Sequence, residues 1–123
     1  MSYIDGFILP LPSGKEDEYK KMAEMFARKI KEQGALGSLE ALGDGLEHGH
    51  TTDFYKAVKA EDGENIVFSF VIWPDKATRD AGWEKIMTDP EMQPGAQPMP
   101  FDGKRMFWGG FNPIVDTLAT SGA

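Results

Sequence analysis

The chain has 123 residues, of which 41% are hydrophobic, and this combination predicts one folded domain rather than a disordered segment. Thirteen basic residues stand against twenty acidic ones, and the net charge of −7 argues against a nucleic-acid partner, which requires clustered Lys and Arg. Since there is no cysteine, disulfides, zinc–thiolate sites and thiol catalysis are excluded. The N-terminus lacks the pattern of a signal peptide and no apolar run could span a bilayer, so we expect a cytoplasmic protein without membrane contact.

Two stretches are predicted to be strands that are apolar on both faces. In residues 3–11 and in residues 66–73, both alternating rows of side chains are mostly apolar. Asp5 is the exception, a lone carboxylate in an apolar strand. This pattern is typical of strands that are covered on both sides, and the first strand is expected to end at Pro10 and Pro12.

Two helices are predicted from capping signals and apolar periodicity. Ser13 begins a capping-box pattern, and apolar residues at steps of three and four predict a helix from about 15 to 33. Asp75 is expected to cap a second helix, roughly 76–88, whose interior Gly82 indicates close packing. The inward-facing candidates of the second helix are Ala77, Ala81, Ile86 and Met87.

Three shorter elements complete the prediction. Strands are predicted over 36–42 and 105–111. Residues 53–60 fit either a short helix or a strand, and we favour the helix because Thr52 or Asp53 can cap it. The inward-facing candidates of this helix are Phe54, Ala57 and Val58.

The long connection over residues 90–104 contains four prolines, and loops of this length inside a domain often cover a functional site. We therefore expect any pocket to lie between the sheet and this connection. Residues 112–118 are expected to form a helical turn that packs its apolar side chains inward, and residues 119–123 to be frayed. Those apolar side chains are Ile114, Val115 and Leu118.

The predicted order is strand, helix, strand, strand, helix, strand, which is the split βαβ pattern of a ferredoxin-like α+β domain. One such domain spans residues 1–123, with a C-terminal turn and tail from about 112. Helices in this fold cover only one face of the sheet, whereas these strands are apolar on both. A second copy of the chain provides the simplest cover for the other face, which predicts a homodimeric α/β barrel.

Three charged residues, Asp5, Asp102 and Arg105, are candidates for catalysis. The first and last strands of a ferredoxin-like sheet are antiparallel neighbours, so Asp5 and Arg105 can meet across the ladder. Such a pair either lines a pocket, with Asp5 as a base, or is a structural ion pair, and the structural role is favoured. Asp102 either shapes a turn next to Lys104 or faces the mouth of a pocket, and turn shaping is favoured.

Aromatic and polar residues near the strand ends are candidates for ligand binding. The rings can line an apolar cavity, although more of them are expected to belong to the core or to a dimer contact. The polar candidates are each expected more on the surface than in a site. The candidates are Phe70, Trp73, Phe107 and Trp108 among the aromatic residues, and Tyr55, Arg79 and Lys104 among the polar ones.

Both histidines, His48 and His50, lie in a glycine-rich stretch with Glu47 and Asp53 nearby. Such a group can bind a divalent metal, but a pair separated by one residue imposes no geometry, and a surface loop is favoured. The sequence contains no glycine-rich nucleotide motif and no nucleophile elbow. We therefore expect no cofactor and no bound metal.

Several segments resemble the DUF1428 family, over nearly the whole chain. The most specific of them is Met99-Pro-Phe-Asp-Gly-Lys-Arg-Met, and Tyr3-Ile-Asp-Gly-Phe and Gly109-Gly-Phe add to it. The resemblance implies a dimeric α/β barrel and a family whose function is not established. Related barrel families include cofactor-free monooxygenases and small-molecule-binding proteins. Some members carry a label linking them to signal recognition particle RNA, which the acidic balance of this chain does not support.

Three functions are open on this basis. The protein binds a small, partly apolar molecule; or it is a cofactor-free monooxygenase or isomerase with Asp5 or Asp102 as base beside Arg105; or it is an assembly module with a filled interior. A cavity of several hundred Å³ that holds a buried carboxylate of shifted pKa would favour the enzyme. A fully packed interior would leave only the assembly module.

Overall fold

The computed structural model of the protein describes residues 2–118, which form an α+β fold of one four-stranded antiparallel sheet and three helices. In chain order the elements are β1 (Tyr3–Pro12), α1 (Glu16–Glu32), β2 (Gly37–Leu42), α2 (Phe54–Ala57), β3 (Glu64–Trp73), α3 (Lys76–Met87) and β4 (Phe107–Phe111). The strands lie side by side in the order β2-β3-β1-β4, and 3-10 turns at Pro90–Met92 and Gly103–Arg105 lie between α3 and β4. No helix in this part of the chain is long and apolar enough to cross a bilayer.

β1 runs through both of its prolines rather than ending at them. It pairs with β3 from Tyr3 to Pro12, whereas β4 pairs with it only from Ile4 to Ile8. The second half of β1 therefore has no neighbouring strand on the β4 side.

The prolines fit because their nitrogens face this unpaired side. Pro10 lies opposite Ile66, and the carbonyl of Ile66 turns toward β2, where it accepts a hydrogen bond from the amide of Gly43. Pro10 and Ile66 therefore form a non-hydrogen-bonded pair of the antiparallel ladder. In such a pair the backbone N–H and C=O groups of both residues point away from each other, so the nitrogen of Pro10 points away from β3. Pro12, two residues further on, has the same orientation. No ladder hydrogen bond is lost there, which is why the strand tolerates proline.

α1 begins without the predicted capping box. The residue before it is Lys15, and no side chain caps the helix. The prediction of a cap at Ser13 is wrong because the amide of Ser13 is hydrogen bonded to the turn before β3, and the carboxylate of Glu16 accepts from the amide of Gly14 at 2.9 Å. The helix is followed by Gly34, whose φ of +102° is a conformation that glycine adopts without strain.

Asp53 and Asp75 cap α2 and α3 as predicted. Their carboxylates accept hydrogen bonds from the amides of Lys56 and Thr78, respectively, and these bonds lower the pKa of both aspartates. The prediction that residues 53–60 contain a helix is therefore confirmed.

The predicted inward faces of α2 and α3 are only partly correct. Val58 and Ile86 are buried as expected. α3 instead packs through Gly82, where an added Cβ would lie 2.9 Å from the ring of the fully buried Trp73. This contact turns α3 so that Ala77, Ala81 and Met87 face outward. On α2, Phe54 and Ala57 are exposed as well.

The core lies between α1, α3 and one face of the sheet. One cluster of buried side chains surrounds Trp73 and Ile30, and a second surrounds Leu9, Leu11 and Val67. Asp5 and Ser69 are the buried polar residues on this face.

The opposite side of the sheet, which we call the open face, is apolar and largely uncovered. It is formed by the alternate residues of all four strands, in the register Leu39 opposite Phe70 and Ile8 opposite both Phe68 and Phe107. Its most exposed large side chains are Leu39, Phe68, Phe107 and Phe111. The prediction that the two central strands have two apolar faces is therefore confirmed.

The segment after β4 does not pack as predicted. Residues 112–118 form bends rather than a helical turn, and Ile114 is 97% exposed, with Val115 and Leu118 also exposed. Because β4 is an edge strand with exposed side chains of its own, the chain that follows it has no buried surface to pack on. β4 also begins later than predicted, since Gly103–Arg105 form a 3-10 turn. Residues 119–123, predicted to fray, lie outside the described residues.

Candidate functional site

A cavity of about 260 Å³, which we call the central cavity, lies between the helix-covered face of the sheet, α1 and the connection that precedes β4. The connection contributes Met92, Met99 and Phe101 to its wall, and the sheet contributes Phe7 and Leu9. This is the place where the sequence predicts a pocket.

Aromatic rings form one wall of the central cavity. Phe26 of α1 stacks on Trp83 of α3 with ring centroids 5.6 Å apart, and Phe7 of β1 meets both rings edge-on, at 6.4 and 6.1 Å. Such arrangements fix the orientation of the rings. Four methionines complete much of the lining, and their unbranched thioether side chains can adapt to the shape of a bound molecule. They are Met22, Met92, Met99 and Met106.

One carboxylate lines the cavity. Glu40 comes from the edge strand β2, where the residue as a whole is exposed, but its carboxylate oxygens reach buried partners. Oε1 accepts a hydrogen bond from the hydroxyl of Tyr19 at 2.6 Å, and Oε2 accepts one from the hydroxyl of Ser69 at 3.0 Å. Burial raises the pKa of Glu40, and the two hydroxyls oppose this only in part. Burial also raises the pKa of the Tyr19 hydroxyl, with its bond to Glu40 adding to the effect.

Asp5 is buried beneath the cavity wall and is fully engaged by the protein. Its Oδ2 accepts hydrogen bonds from the indole nitrogens of Trp73 and Trp83 at 3.0 and 2.8 Å. The guanidinium of Arg79 binds both carboxylate oxygens, with Nη2 at 2.7 Å from Oδ1. Arg79 also lies over the ring of Tyr3, 5.1 Å from its centroid. Asp5 therefore has a structural ion pair, which was the favoured interpretation, but its partner comes from α3.

Arg105 does not meet Asp5. It lies in the 3-10 turn before β4 and binds Glu64 through two nitrogens at 2.6 and 2.7 Å. It also binds Asp102 at 3.0 Å and lowers the pKa of both carboxylates. The carboxylate of Asp102 further accepts a bond from the amide of Lys104, as expected of a residue that shapes a turn.

The ligand-binding candidates from the sequence are dispersed. Arg79 and Trp108 line a neighbouring cavity of about 380 Å³, whereas Lys104 and Phe107 line a more open one of about 430 Å³ beside Arg105. The remaining three lie elsewhere: Trp73 in the core, Phe70 on the open face, and Tyr55 against His48 with its hydroxyl donating to the carbonyl of Leu46.

The histidines lie on the surface loop that the sequence favours. The ring of His48 stacks on Tyr55, and its Nδ1 is 3.7 Å from a carboxylate oxygen of Asp53. Within residues 2–118, no group of three or more His, Cys, Asp or Glu side chains is placed to hold a metal ion.

The sequence does not predict the polar part of the central cavity. Tyr19 fits the apolar spacing that predicts α1, which gives no sign of a hydrogen-bonding role, and Glu40 lies in a short edge strand with weak alternation. Ser69 gave the one available signal, because it is the single polar residue within the apolar strand 66–73 and a polar group in such a position needs a partner.

These features define a small α+β fold with an open apolar cavity that has one carboxylate in its wall. The chain belongs to the DUF1428 family, described as "Protein of unknown function (DUF1428)", whose family model matches residues 2–103. The predicted family is therefore confirmed, and the function of that family is not established.

Similar proteins cover almost the full length of the chain. The "Uncharacterized protein YbaA" of Escherichia coli strain K12 is 47% identical over 116 residues, which cover 94% of this chain and 99% of that protein. The proteins of the same name from Escherichia coli O157:H7 and Shigella flexneri have the same identity and coverage. Their names state no ligand and no reaction.

Proposed function

We propose that the protein binds a small, partly apolar molecule in the central cavity. The observation that carries this proposal is the cavity of about 260 Å³, which is near the lower end of the size range of ligand pockets and has room for a single-ring compound. Its lining combines large apolar side chains with one carboxylate and two hydroxyls that can orient a ligand. An assembly module with a filled interior fits this arrangement less well.

A cofactor-free enzyme is the second candidate, and the raised pKa of Glu40 is the observation that favours it. A carboxylate of raised pKa beside a cavity is suited to accept a proton from a bound molecule. Asp5 and Asp102, the bases suggested by the sequence, are less suited because protein donors occupy the first and ion pairing lowers the pKa of the second. If wild type converts a bound compound and Glu40→Gln does not, the result would favour the enzyme over the binding protein.

The wider proposal is a one-domain, cytoplasmic, homodimeric α/β barrel with no nucleic-acid partner. The strand order β4-β1-β3-β2, entirely antiparallel, supports the ferredoxin-like interpretation. The exposed apolar side chains of the open face support a dimer, because packing one copy on another covers both surfaces at once. The net charge of −7 supports the absence of a nucleic-acid partner.

Filling the cavity tests the binding proposal. Ala23 is buried on α1 and lines the central cavity, so the larger side chain of Ala23→Leu occupies space that a ligand needs. We expect wild type to bind the neutral probe 2-phenylethanol with a Kd on the order of 1 mM, and Ala23→Leu to weaken it about tenfold or more. Ligand-observed NMR measures both values.

The matched control is Ala81→Leu, the same substitution at an exposed position of α3. It is expected to leave probe binding unchanged. Equal binding by wild type and a folded Ala23→Leu variant, or no binding by wild type, would contradict the proposal.

A further inference from the structure

We infer that the ligand of the central cavity is a cationic amine, with its apolar part among the aromatic rings and its ammonium group on the carboxylate of Glu40. This inference rests on the proposed binding function and adds the charge of the ligand to it.

The first argument is the charge of the lining. Among the described residues that line the central cavity, Glu40 is the single acidic side chain, and none is Lys, Arg or His. A bound carboxylate or phosphate would therefore face a like charge in an apolar setting without a compensating cation, which is strongly unfavourable. The lining excludes anions and accepts neutral or positively charged molecules.

The second argument is that Glu40 receives its hydrogen bonds from neutral groups. Tyr19 and Ser69 are its donors, and no Lys, Arg or His of residues 2–118 forms an ion pair with it. Asp5, on the same face of the sheet, has Arg79 at 2.7 Å. Since a carboxylate keeps lone pairs after accepting two hydrogen bonds, a ligand ammonium can supply the charge partner that the protein does not.

The third argument is the aromatic wall. Phe26 and Trp83, stacked at 5.6 Å, and Phe7, edge-on to both, line the same cavity as Glu40. Rings of this kind offer a large apolar surface to the hydrocarbon part of a ligand. An amine can therefore place its apolar part against the rings while its ammonium group binds the carboxylate of Glu40.

The fourth argument is the groove on the other side of Glu40. A cavity of about 430 Å³ between α1 and β2 shares Tyr19, Ala23 and Glu40 with the central cavity. Its rim carries acidic side chains of α1, with Lys20 as the one basic side chain of its lining. The acidic side chains are Glu16, Asp17 and Glu24. The negative potential of these side chains raises the local concentration of cations in the groove beside Glu40.

Three single-ring probes of similar size separate these contributions: 2-phenylethylamine, 2-phenylethanol and phenylacetate. At pH 7 and constant ionic strength, we expect wild type to bind the amine about tenfold more tightly than the alcohol, and the acid most weakly, because a charge-assisted hydrogen bond replaces a neutral one. Glu40→Gln should remove the preference for the amine over the alcohol, because the charge-assisted hydrogen bond is lost.

The charge-matched control is Glu32→Gln, which removes one negative charge at the exposed end of α1, outside the lining of the central cavity. It should keep the wild-type order of the three probes. If the alcohol binds but the amine binds no more tightly, or if Glu40→Gln keeps the preference for the amine, this inference is wrong while the binding function stands. If none of the probes binds wild type, the binding function itself fails. The wild-type order alone decides the question should Glu40→Gln not fold.

Discussion

Two carboxylates on the same face of the sheet have opposite surroundings. Asp5 accepts hydrogen bonds from two indoles and from a guanidinium that carries the opposite charge. Glu40 accepts hydrogen bonds from two hydroxyls, which carry no charge. A buried ion pair is costly to break because it leaves a charge unpaired, whereas a carboxylate held by hydroxyls can exchange partners. Asp5 is therefore suited to hold α3 on the sheet, and Glu40 to meet a ligand.

The pKa of Glu40 predicts how its contribution to stability changes with pH. Because burial raises this pKa in the folded state, the folded protein binds the proton more tightly than the unfolded chain does. The contribution of Glu40 to stability is therefore fully present below the ordinary Glu pKa of about 4.3, and it is lost as the pH rises through the pKa of Glu40 in the folded state. Glu40→Gln cannot ionise, so its free energy of unfolding should increase relative to that of wild type as the pH rises above about 4.3. Urea denaturation at several pH values measures the difference.

Glu64→Gln provides a comparison of opposite sign. Hydrogen bonds from Arg105 hold the pKa of Glu64 below its ordinary value, so this carboxylate stabilises the fold above about pH 4.3 and the benefit is lost as the pH falls through the folded value. The free energy of unfolding of Glu64→Gln should therefore fall relative to that of wild type as the pH rises. A Glu40→Gln variant that follows the same trend would contradict the assigned burial of Glu40.

The sequence shows why one carboxylate could be predicted and the other could not. Asp5 interrupts a clear apolar alternation, so a local pattern identifies it. Its partner was assigned wrongly because Arg79 reaches it from α3, and the rotation of a helix about its axis is not a local property. Glu40 lies in a strand with weak alternation, and its role depends on Tyr19 and Ser69, which are brought to it by two other elements.

At the level of elements, α3 is positioned by the absence of a side chain. Gly82 lets the helix backbone approach the ring of Trp73, and the same orientation carries the indole of Trp83 and the guanidinium of Arg79 to Asp5. The starts of α2 and α3 were predictable because Asp53 and Asp75 are local capping signals, and the existence of the strands was predictable because alternation is a local signal. The inward face of α3 was not predictable, because its alanines Ala77 and Ala81 are exposed and a glycine, Gly82, makes the close contact with Trp73.

Gly82→Ala should therefore destabilise the protein. In a free helix this change is favourable by about 1 kcal/mol, but here the new methyl group would lie 2.9 Å from Trp73 and overpack the core. We expect a net loss of about 1–3 kcal/mol in the free energy of unfolding, measured by urea denaturation.

The neighbouring substitution Ala81→Gly is the control, since Ala81 is exposed on the same helix. It should cost about 1 kcal/mol through helix propensity alone. A Gly82→Ala variant that is more stable than wild type would show that Trp73 can move aside and that the packing is not tight.

At the level of the whole molecule, the open face predicts self-association. Phe68 is 47% exposed at a central position of that face, on a strand that is paired on both sides. Large apolar side chains in such a cluster are expected to be covered, and a two-fold contact between identical faces would cover two sets of them. We expect wild type to sediment at twice its chain mass of 13.6 kDa at low micromolar concentration.

Phe68→Glu should shift this equilibrium to single chains. A two-fold contact would contain the new charge twice, and burial of unpaired charge should weaken the dimer about 100-fold or more. Met87→Glu, an exposed apolar position on α3, is the control and should leave the dimer intact. Folded single chains in wild type at that concentration would contradict the proposed barrel.

The two prolines of β1 have a consequence for how these molecules behave when crowded. Half of a central strand lacks a neighbour there, and a free strand edge ordinarily recruits the edge of another molecule and starts aggregation. Pro10 and Pro12 offer no N–H donors along that edge, so an incoming strand would find a broken ladder. Leu9, Pro10 and Leu11 are also buried, so this half of β1 offers an incoming strand neither access nor a complete ladder, and the open face is left as the broad surface for a partner.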